Sequence, residues 1–269
     1  RRVPPGGLVH ASYIEHLDVA RQLLDWVDHP EGDPDVQLWY RVVTAWVFSQ
    51  RLLVAAVHHL DEVERVLGHD ANALFDEGTF HELLGSPSVQ GLVTSRATVR
   101  GGMPTVGSAR YHFGQAERRF TRVLELDPGF VEARVRLGRV QGALGRPDRA
   151  AEQLEGAAPL ATSQVVRYYG FLFLGRAREA LGDDDNALVA YQQAALLYPN
   201  AQSALFGIGR LARAAGAYEA SLAATDRVLA LPRDEQARPD PWWVYHAGIG
   251  RDAVPLVATL HARVAGLSR

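Results

Sequence analysis

The feature that most constrains this chain is a short motif, an aliphatic residue followed by glycine and arginine, that recurs three times. Its copies are Leu137-Gly138-Arg139, Leu174-Gly175-Arg176 and Ile208-Gly209-Arg210. A second glycine follows the first by seven residues, and a small residue comes five further on: Gly145, Gly182 and Gly216, then Ala150, Ala187 and Ser221. A period of about 34 residues with small residues at fixed places is typical of a solenoid of helical hairpins.

The small residues have a packing explanation. Two helices approach closely only where glycine or alanine leaves room between them. A single hairpin cannot bury its apolar face alone, so copies must stack. The pattern therefore predicts an all-α fold. The expected helix pairs are 131–145 with 148–158, 168–181 with 184–197, and 202–215 with 218–230.

These residues resemble the tetratricopeptide repeat family, which carries Leu-Gly on the first helix, glycine at the turn and alanine on the second helix. A bulky residue follows the alanine by four positions in two copies, Leu154 and Tyr191, while Thr225 stands there in the third. Pro199 closes the middle copy, as in the family. The resemblance covers roughly residues 109–232 and implies a right-handed helical solenoid.

An earlier half-repeat fits the same frame. Ala116 and Phe120 stand one period before Ala150 and Leu154. The segment Gly101-Gly102-Met103-Pro104 occupies the place of its first helix, so we interpret this copy as lacking one. Residues 108–232 then form one half repeat plus three repeats.

Two further regions flank the predicted solenoid. Residues 1–107 are expected to be helical, either as diverged repeats or as a separate fold, with a short helix from Ala71 to Leu84. Residues 233–269 are interpreted as a C-terminal cap, because the last repeat of a solenoid otherwise exposes an apolar edge. Trp242, Trp243 and Tyr245 would cover that edge, followed by a helix from about Arg251. The alternative for these aromatic residues is a ligand-binding patch.

Composition excludes several classes of function. The net charge of −3 gives no general attraction to nucleic acid or anionic membranes. No apolar run approaches the ~20 residues needed to span a bilayer. Cysteine is absent, which excludes disulfides and thiolate catalysis on this chain. All 28 basic residues are arginine, as expected of a GC-rich genome.

Catalytic motifs are missing from the sequence, including a glycine-rich phosphate loop, a nucleophile elbow and HExxH. We therefore expect no catalytic residues, no metal site and no cofactor. The sequence begins with Arg1 rather than methionine. Removal of a leader would account for this start and favours an exported protein, whereas a trimmed or disordered start would account for it without export.

The arginine after each repeated glycine is the candidate binding element. In the resembled family the first helices line a concave groove, which implies that Arg139, Arg176 and Arg210 form a ladder along it. Other residues on the same helices are expected beside the ladder: Arg136, Arg213, Tyr169, Phe173 and Phe206. Arginine beside aromatic rings suits an extended partner segment that is acidic or carries a terminal carboxylate. The alternative is that Glu132 and Glu179 neutralise the ladder internally.

We therefore predict a non-catalytic scaffold that binds another protein in its groove. An alternative from another class is a structural subunit of a larger exported or filamentous assembly. A third is an enzyme whose unrecognised active site lies in residues 1–107. A groove-binding protein should have an open concave face, whereas an assembly subunit should carry apolar patches elsewhere.

Overall fold

The computed structural model describes residues 69–87, 89–90, 107–231 and 240–246, all within one compact unit that spans residues 68–251. The described residues form helices and no strands, which confirms the all-α class. None of the described helices is long and apolar enough to cross a membrane. The elements are α1 (Ala71–Leu84), α2 (Ala109–Leu126), α3 (Val131–Ala143), α4 (Pro147–Ala157), α5 (Gln164–Ala180), α6 (Asp184–Leu197), α7 (Gln202–Ala214), α8 (Tyr218–Leu229) and a 3-10 helix (Pro241–Val244).

The three complete repeats are the helix pairs α3/α4, α5/α6 and α7/α8, within a few residues of the predicted bounds. The repeated glycine of each first helix faces the second helix of its own repeat. A Cβ atom on Gly138 would lie 2.6 Å from Leu154, and one on Gly175 would lie 2.6 Å from Tyr191. Any larger residue at these two positions would push the paired helices apart.

The second glycine of each copy ends the first helix. Gly145, Gly182 and Gly216 have φ angles of 78°, 75° and 73°. This left-handed conformation is strained for residues with a side chain, so glycine is favoured where the chain reverses into the second helix.

Successive repeats stack through equally close contacts. A Cβ on Gly207 of α7 would lie 2.8 Å from the Tyr191 ring, which therefore sits between Gly175 of its own repeat and Gly207 of the next. A Cβ on Gly170 of α5 would lie 2.9 Å from the backbone of Ala158, just after α4. These contacts join the repeats into a continuous apolar core.

The interpretation that the first copy lacks a first helix is wrong, because α1 takes that position. A Cβ on Gly78 of α1 would lie 2.7 Å from Phe120 of α2, the same relation that Gly138 has to Leu154. Gly85 follows Gly78 by seven residues, as in the other copies, but its φ is −73°. The left-handed turn is not needed here, because more than twenty residues separate α1 from α2 rather than a tight loop.

The prediction that Trp242 and Tyr245 cap the last repeat is also wrong. Both pack on the first helices of earlier repeats, against Phe173. The last described helix, α8, buries only Ala224. The predictions for residues 1–68, for the Trp243 side chain and for a helix beginning near residue 251 fall outside the described residues.

The buried alanine of each second helix gives a test of the register. Ala187 is fully buried, as predicted. Replacing it with leucine should lower the free energy of unfolding by about 1–3 kcal/mol, because the extra methyl groups overpack the contact between α5 and α6. The measurement is urea-induced unfolding.

Val189 is the matched control for this change, since it lies on the same helix and is largely exposed. Val189→Leu should leave the unfolding midpoint almost unchanged. Equal midpoints for Ala187→Leu and the unmodified chain would contradict the register.

Candidate functional site on the first-helix face

A buried carboxylate joins α1 to α3. Glu82 of α1 is fully buried, and its two oxygen atoms accept hydrogen bonds from Arg136 at 2.9 Å and Arg139 at 2.6 Å. Arg136 is itself buried and also pairs with Glu132. Burial alone would raise the pKa of Glu82, but the charges of Arg139 and Arg136 hold it below its usual value. The carboxylate is therefore ionised, and the two guanidinium groups compensate its negative charge.

A residue much further along the sequence also contacts this carboxylate. The Tyr245 hydroxyl donates to Glu82 at 2.7 Å, and the tyrosine is buried. Burial raises the pKa of Tyr245 well above its ordinary value, so the hydroxyl keeps its proton and remains a donor. We call Glu82, Arg136, Arg139 and Tyr245 the Glu82 cluster.

Residues 240–246, which we call the tail segment, lie across the first helices. Asp240 is buried and accepts hydrogen bonds from the Tyr168 hydroxyl and the Ser203 backbone N–H, both at 2.8 Å. The Tyr169 hydroxyl donates to the Pro241 carbonyl at 2.6 Å. The segment is thus fixed to α5 and to the start of α7.

Aromatic rings and guanidinium groups enclose the centre of the segment. The Phe173 ring meets Trp242 and Tyr245 edge-on, with centroids 5.7 and 5.4 Å away. The Arg139 guanidinium lies 5.4 Å from the Trp242 ring and 4.8 Å from the Tyr245 ring. Such cation–π contacts stabilise a positive charge beside a ring.

His246 completes the contact with Arg139. Its Nε2 lies 3.4 Å from an Arg139 nitrogen. Burial lowers the pKa of His246 to about 4, with Arg139 and Arg136 acting in the same direction against Glu82. The imidazole is therefore neutral at ordinary pH and adds no charge to the Glu82 cluster.

Arg176 differs from the other arginines of the predicted ladder. Its side chain is exposed, and within the described part of the chain it forms no ion pair with a carboxylate. Its guanidinium lies 4.9 Å from the Trp242 ring. Desolvation, together with the nearby charges of Arg139 and Arg210, lowers the pKa of Arg176. Among the described residues Arg176 therefore lacks the direct ion pair that Arg139 and Arg210 have, although its charge helps to lower the pKa of Glu179.

The positive charge of Arg210, at the far end of the predicted groove, is partly neutralised. Arg210 pairs with Glu179 at 2.5 Å, and the Tyr191 hydroxyl donates to the same carboxylate at 2.8 Å. Arg213 and Phe206 are exposed on α7.

These contacts correct the prediction that Arg139, Arg176 and Arg210 are all available to a partner. Arg139 pairs with Glu82, Arg210 pairs with Glu179, and Arg136 is buried between two glutamates. The expected neutralisation by Glu132 and Glu179 occurs at Arg136 and Arg210. Tyr169 and Phe173 are buried beneath the tail segment rather than open to a partner. The structure leaves Arg176, Phe206 and Arg213 as the exposed members of the predicted set.

Sequence reasoning missed Glu82 and the docking of the tail segment. A signal that α1 is the first helix of a repeat existed, because the spacing of Gly78 and Gly85 matches that of the three later glycine pairs. Glu82 follows Gly78 by four residues and hence lies one helical turn further on. No comparable signal links Tyr245 to Glu82, since 163 residues separate them.

Comparisons with known proteins agree with this architecture. Tetratricopeptide repeat models match residues 109–172 and 172–201. Residues 109–201 of the chain are therefore tetratricopeptide repeats. No protein of curated function matches its sequence.

Solved structures show the same fold at low sequence identity. PilW, a widely conserved type IV pilus biogenesis factor, is similar with a TM-score of 0.56 and 14% identity, over 84% of this chain and 92% of PilW. MamA from Desulfovibrio magneticus RS-1 (41-end) has a TM-score of 0.54 and 17% identity, over 74% of this chain and 96% of MamA. At these identities the similarity concerns the fold alone.

The Glu82 cluster can be tested by removing one charge. Glu82→Gln keeps the side-chain shape but leaves the Arg136 and Arg139 guanidiniums without their shared carboxylate. We expect the free energy of unfolding to fall by about 3 kcal/mol, the lower part of the range for a broken buried ion pair, because Arg136 keeps Glu132.

A surface ion pair provides the control. Glu125 pairs with Arg122, and both side chains are about half exposed. Glu125→Gln should cost under about 1 kcal/mol in the same unfolding measurement. Similar losses for the two variants would show that Glu82 does not organise the fold.

Proposed function

We propose that this chain is a non-catalytic protein-interaction scaffold whose first-helix face binds an acidic partner segment beside Arg176. The observation that carries this proposal is the exposed Arg176 guanidinium, which has no carboxylate partner among the described residues. Arginine binds carboxylates through paired, charge-assisted hydrogen bonds. An acidic side chain or a terminal carboxylate is the complement of this position.

The surroundings of Arg176 support a partner segment rather than a small anion. The Trp242 ring lies beside the guanidinium on one side. Phe206, whose side chain is 53% exposed, and Arg213 belong to the next first helix, α7. An extended chain with a carboxylate and an apolar neighbour would find complementary groups on α5 and α7.

The proposal predicts that Arg176→Ala weakens binding of acidic peptides. Peptides rich in aspartate and glutamate, with a free C-terminal carboxylate, would be screened by fluorescence polarisation in 50–300 mM NaCl. Because Arg176 is exposed, the loss on substitution should be modest, about two- to tenfold in Kd. Binding to the unmodified chain should weaken as salt rises, since salt screens exposed charges.

Arg149 provides a matched control, because it is exposed on the second helix α4 and lies away from the first-helix face. Arg149→Ala should leave peptide binding unchanged. If Arg176→Ala and Arg149→Ala bind the same peptides with the same salt dependence, the proposed role of Arg176 is wrong.

A second candidate is a structural subunit of a larger assembly. It is favoured by large apolar side chains exposed on α8: Tyr218, Leu222 and Leu229 are 69%, 63% and 77% exposed. They recur at spacings of four and seven residues, which place them on one stripe of the helix. Contiguous exposed apolar surface is typical of a contact with another protein.

This candidate predicts self-association or co-assembly through α8. Leu222→Glu combined with Leu229→Glu should reduce any concentration-dependent association seen by analytical ultracentrifugation. An unmodified chain that stays monomeric at high concentration would contradict self-assembly through this stripe.

A further inference from the structure

The tail segment contacts the repeats as a bound peptide would. Its only regular structure is the four-residue 3-10 helix, and its attachments include side-chain anchors near its two ends. Asp240 accepts from Tyr168 and from the Ser203 backbone N–H, while Tyr245 donates to Glu82. Helices supply all of these partners, so the segment brings its anchors to groups that are already positioned.

The anchor for Tyr245 is a pocket of defined chemistry. The Tyr169 and Phe173 rings meet the Tyr245 ring edge-on at 4.8 and 5.4 Å, each at 90°. The Arg136 guanidinium lies 4.7 Å from the same ring. A phenol fits because its ring receives these contacts and its hydroxyl reaches the carboxylate at the bottom of the pocket. An aliphatic side chain would satisfy neither feature.

The pocket retains its charge balance without the tail segment. Glu82 keeps its ion pairs with Arg136 and Arg139, and all three residues belong to the helices. Departure of the segment would leave unused hydrogen-bonding groups on Glu82, Tyr168 and Ser203. Binding of a second segment that satisfies the same groups is therefore favourable, because unpaired buried polar groups are costly.

The sequence that joins α8 to the tail segment has the composition of a linker. Residues 232–239 read Pro-Arg-Asp-Glu-Gln-Ala-Arg-Pro, with a single aliphatic side chain, Ala237. Proline and charged residues are typical of linkers between packed elements. The tail segment is covalently joined to the repeats, which gives it an advantage over a free peptide that a competing segment must overcome.

We propose that the tail segment is an exchangeable resident ligand, and that the site beneath it docks a partner peptide of the same chemistry. That chemistry is an aspartate, an aromatic residue two positions later and a tyrosine three positions after that, as in Asp240, Trp242 and Tyr245. This deepens the proposed function and rests on it only in that both place a peptide on the first-helix face. The Asp240 and Tyr245 anchors do not contact Arg176.

The test uses a fluorescent peptide with the sequence of residues 237–248 and the full chain. In the double variant Trp242→Ala/Tyr245→Ala, the tail segment loses two of its aromatic anchors, and the side chains of the helices are unchanged. This variant should bind the peptide at least tenfold more tightly than the unmodified chain, whose own segment competes. A peptide with alanine in place of its tyrosine should bind the double variant at least tenfold more weakly than the parent peptide.

Tyr218→Ala serves as the control, because that tyrosine is exposed on α8 away from the segment. It should bind the peptide as the unmodified chain does. A folded double variant, by circular dichroism, that binds no more tightly than the unmodified chain would overturn the proposal and make the segment a fixed part of the fold.

Should the double variant fail to fold, Tyr245→Phe decides the question. It keeps the ring and removes only the hydroxyl that donates to Glu82, so it should bind the peptide several-fold more tightly than the unmodified chain. Equal affinity would overturn the proposal. If Arg176→Ala does not change binding in the acidic-peptide assay, the proposed role of Arg176 is wrong. The result of the assay with the tail peptide is unaffected by that outcome.

Discussion

The Glu82 carboxylate is fully buried, and its charge is compensated by two arginines of α3 and one tyrosine hydroxyl of the tail segment. Burying an ion without partners would cost several kcal/mol, so these groups must come together for the fold to be stable. The compensation joins three distant parts of the chain at one point. Because Arg136 and Arg139 pair with Glu82, neither guanidinium is available to a partner. Both residues therefore have a structural role.

This constraint divides the first-helix face into two parts. Over α3 and α5 the tail segment covers Tyr169 and Phe173, and Asp240 fixes it to the start of α7. Beyond it, Arg176 remains exposed with the Trp242 ring beside its guanidinium. A face that already holds a peptide-like segment of its own shows which side-chain chemistry these helices accept, and the proposal of an exchangeable segment follows from that observation.

The packing of the repeats was predictable residue by residue. Gly138 and Gly175 stand where a Cβ would meet the second helix, and Ala187 is buried at the predicted crossing. The helix from Ala71 to Leu84 was predicted, and the same rule would have assigned it as the first helix of the first repeat, because Gly78 faces Phe120 in the same way. That assignment was missed because more than twenty residues separate α1 from α2, so the regular period of the repeats is broken at that point.

The sequence by itself determined the helices, their pairing and their turns, because these depend on local spacing and on the size of single residues. Only the tertiary structure decided which arginines are free. Arg139, Arg176 and Arg210 occupy equivalent positions in the repeat, yet their partners are Glu82, the Trp242 ring and Glu179. All three partners lie more than thirty residues away in the sequence. Charge compensation acts through space, and a period in the sequence carries no information about which distant residue the fold brings there.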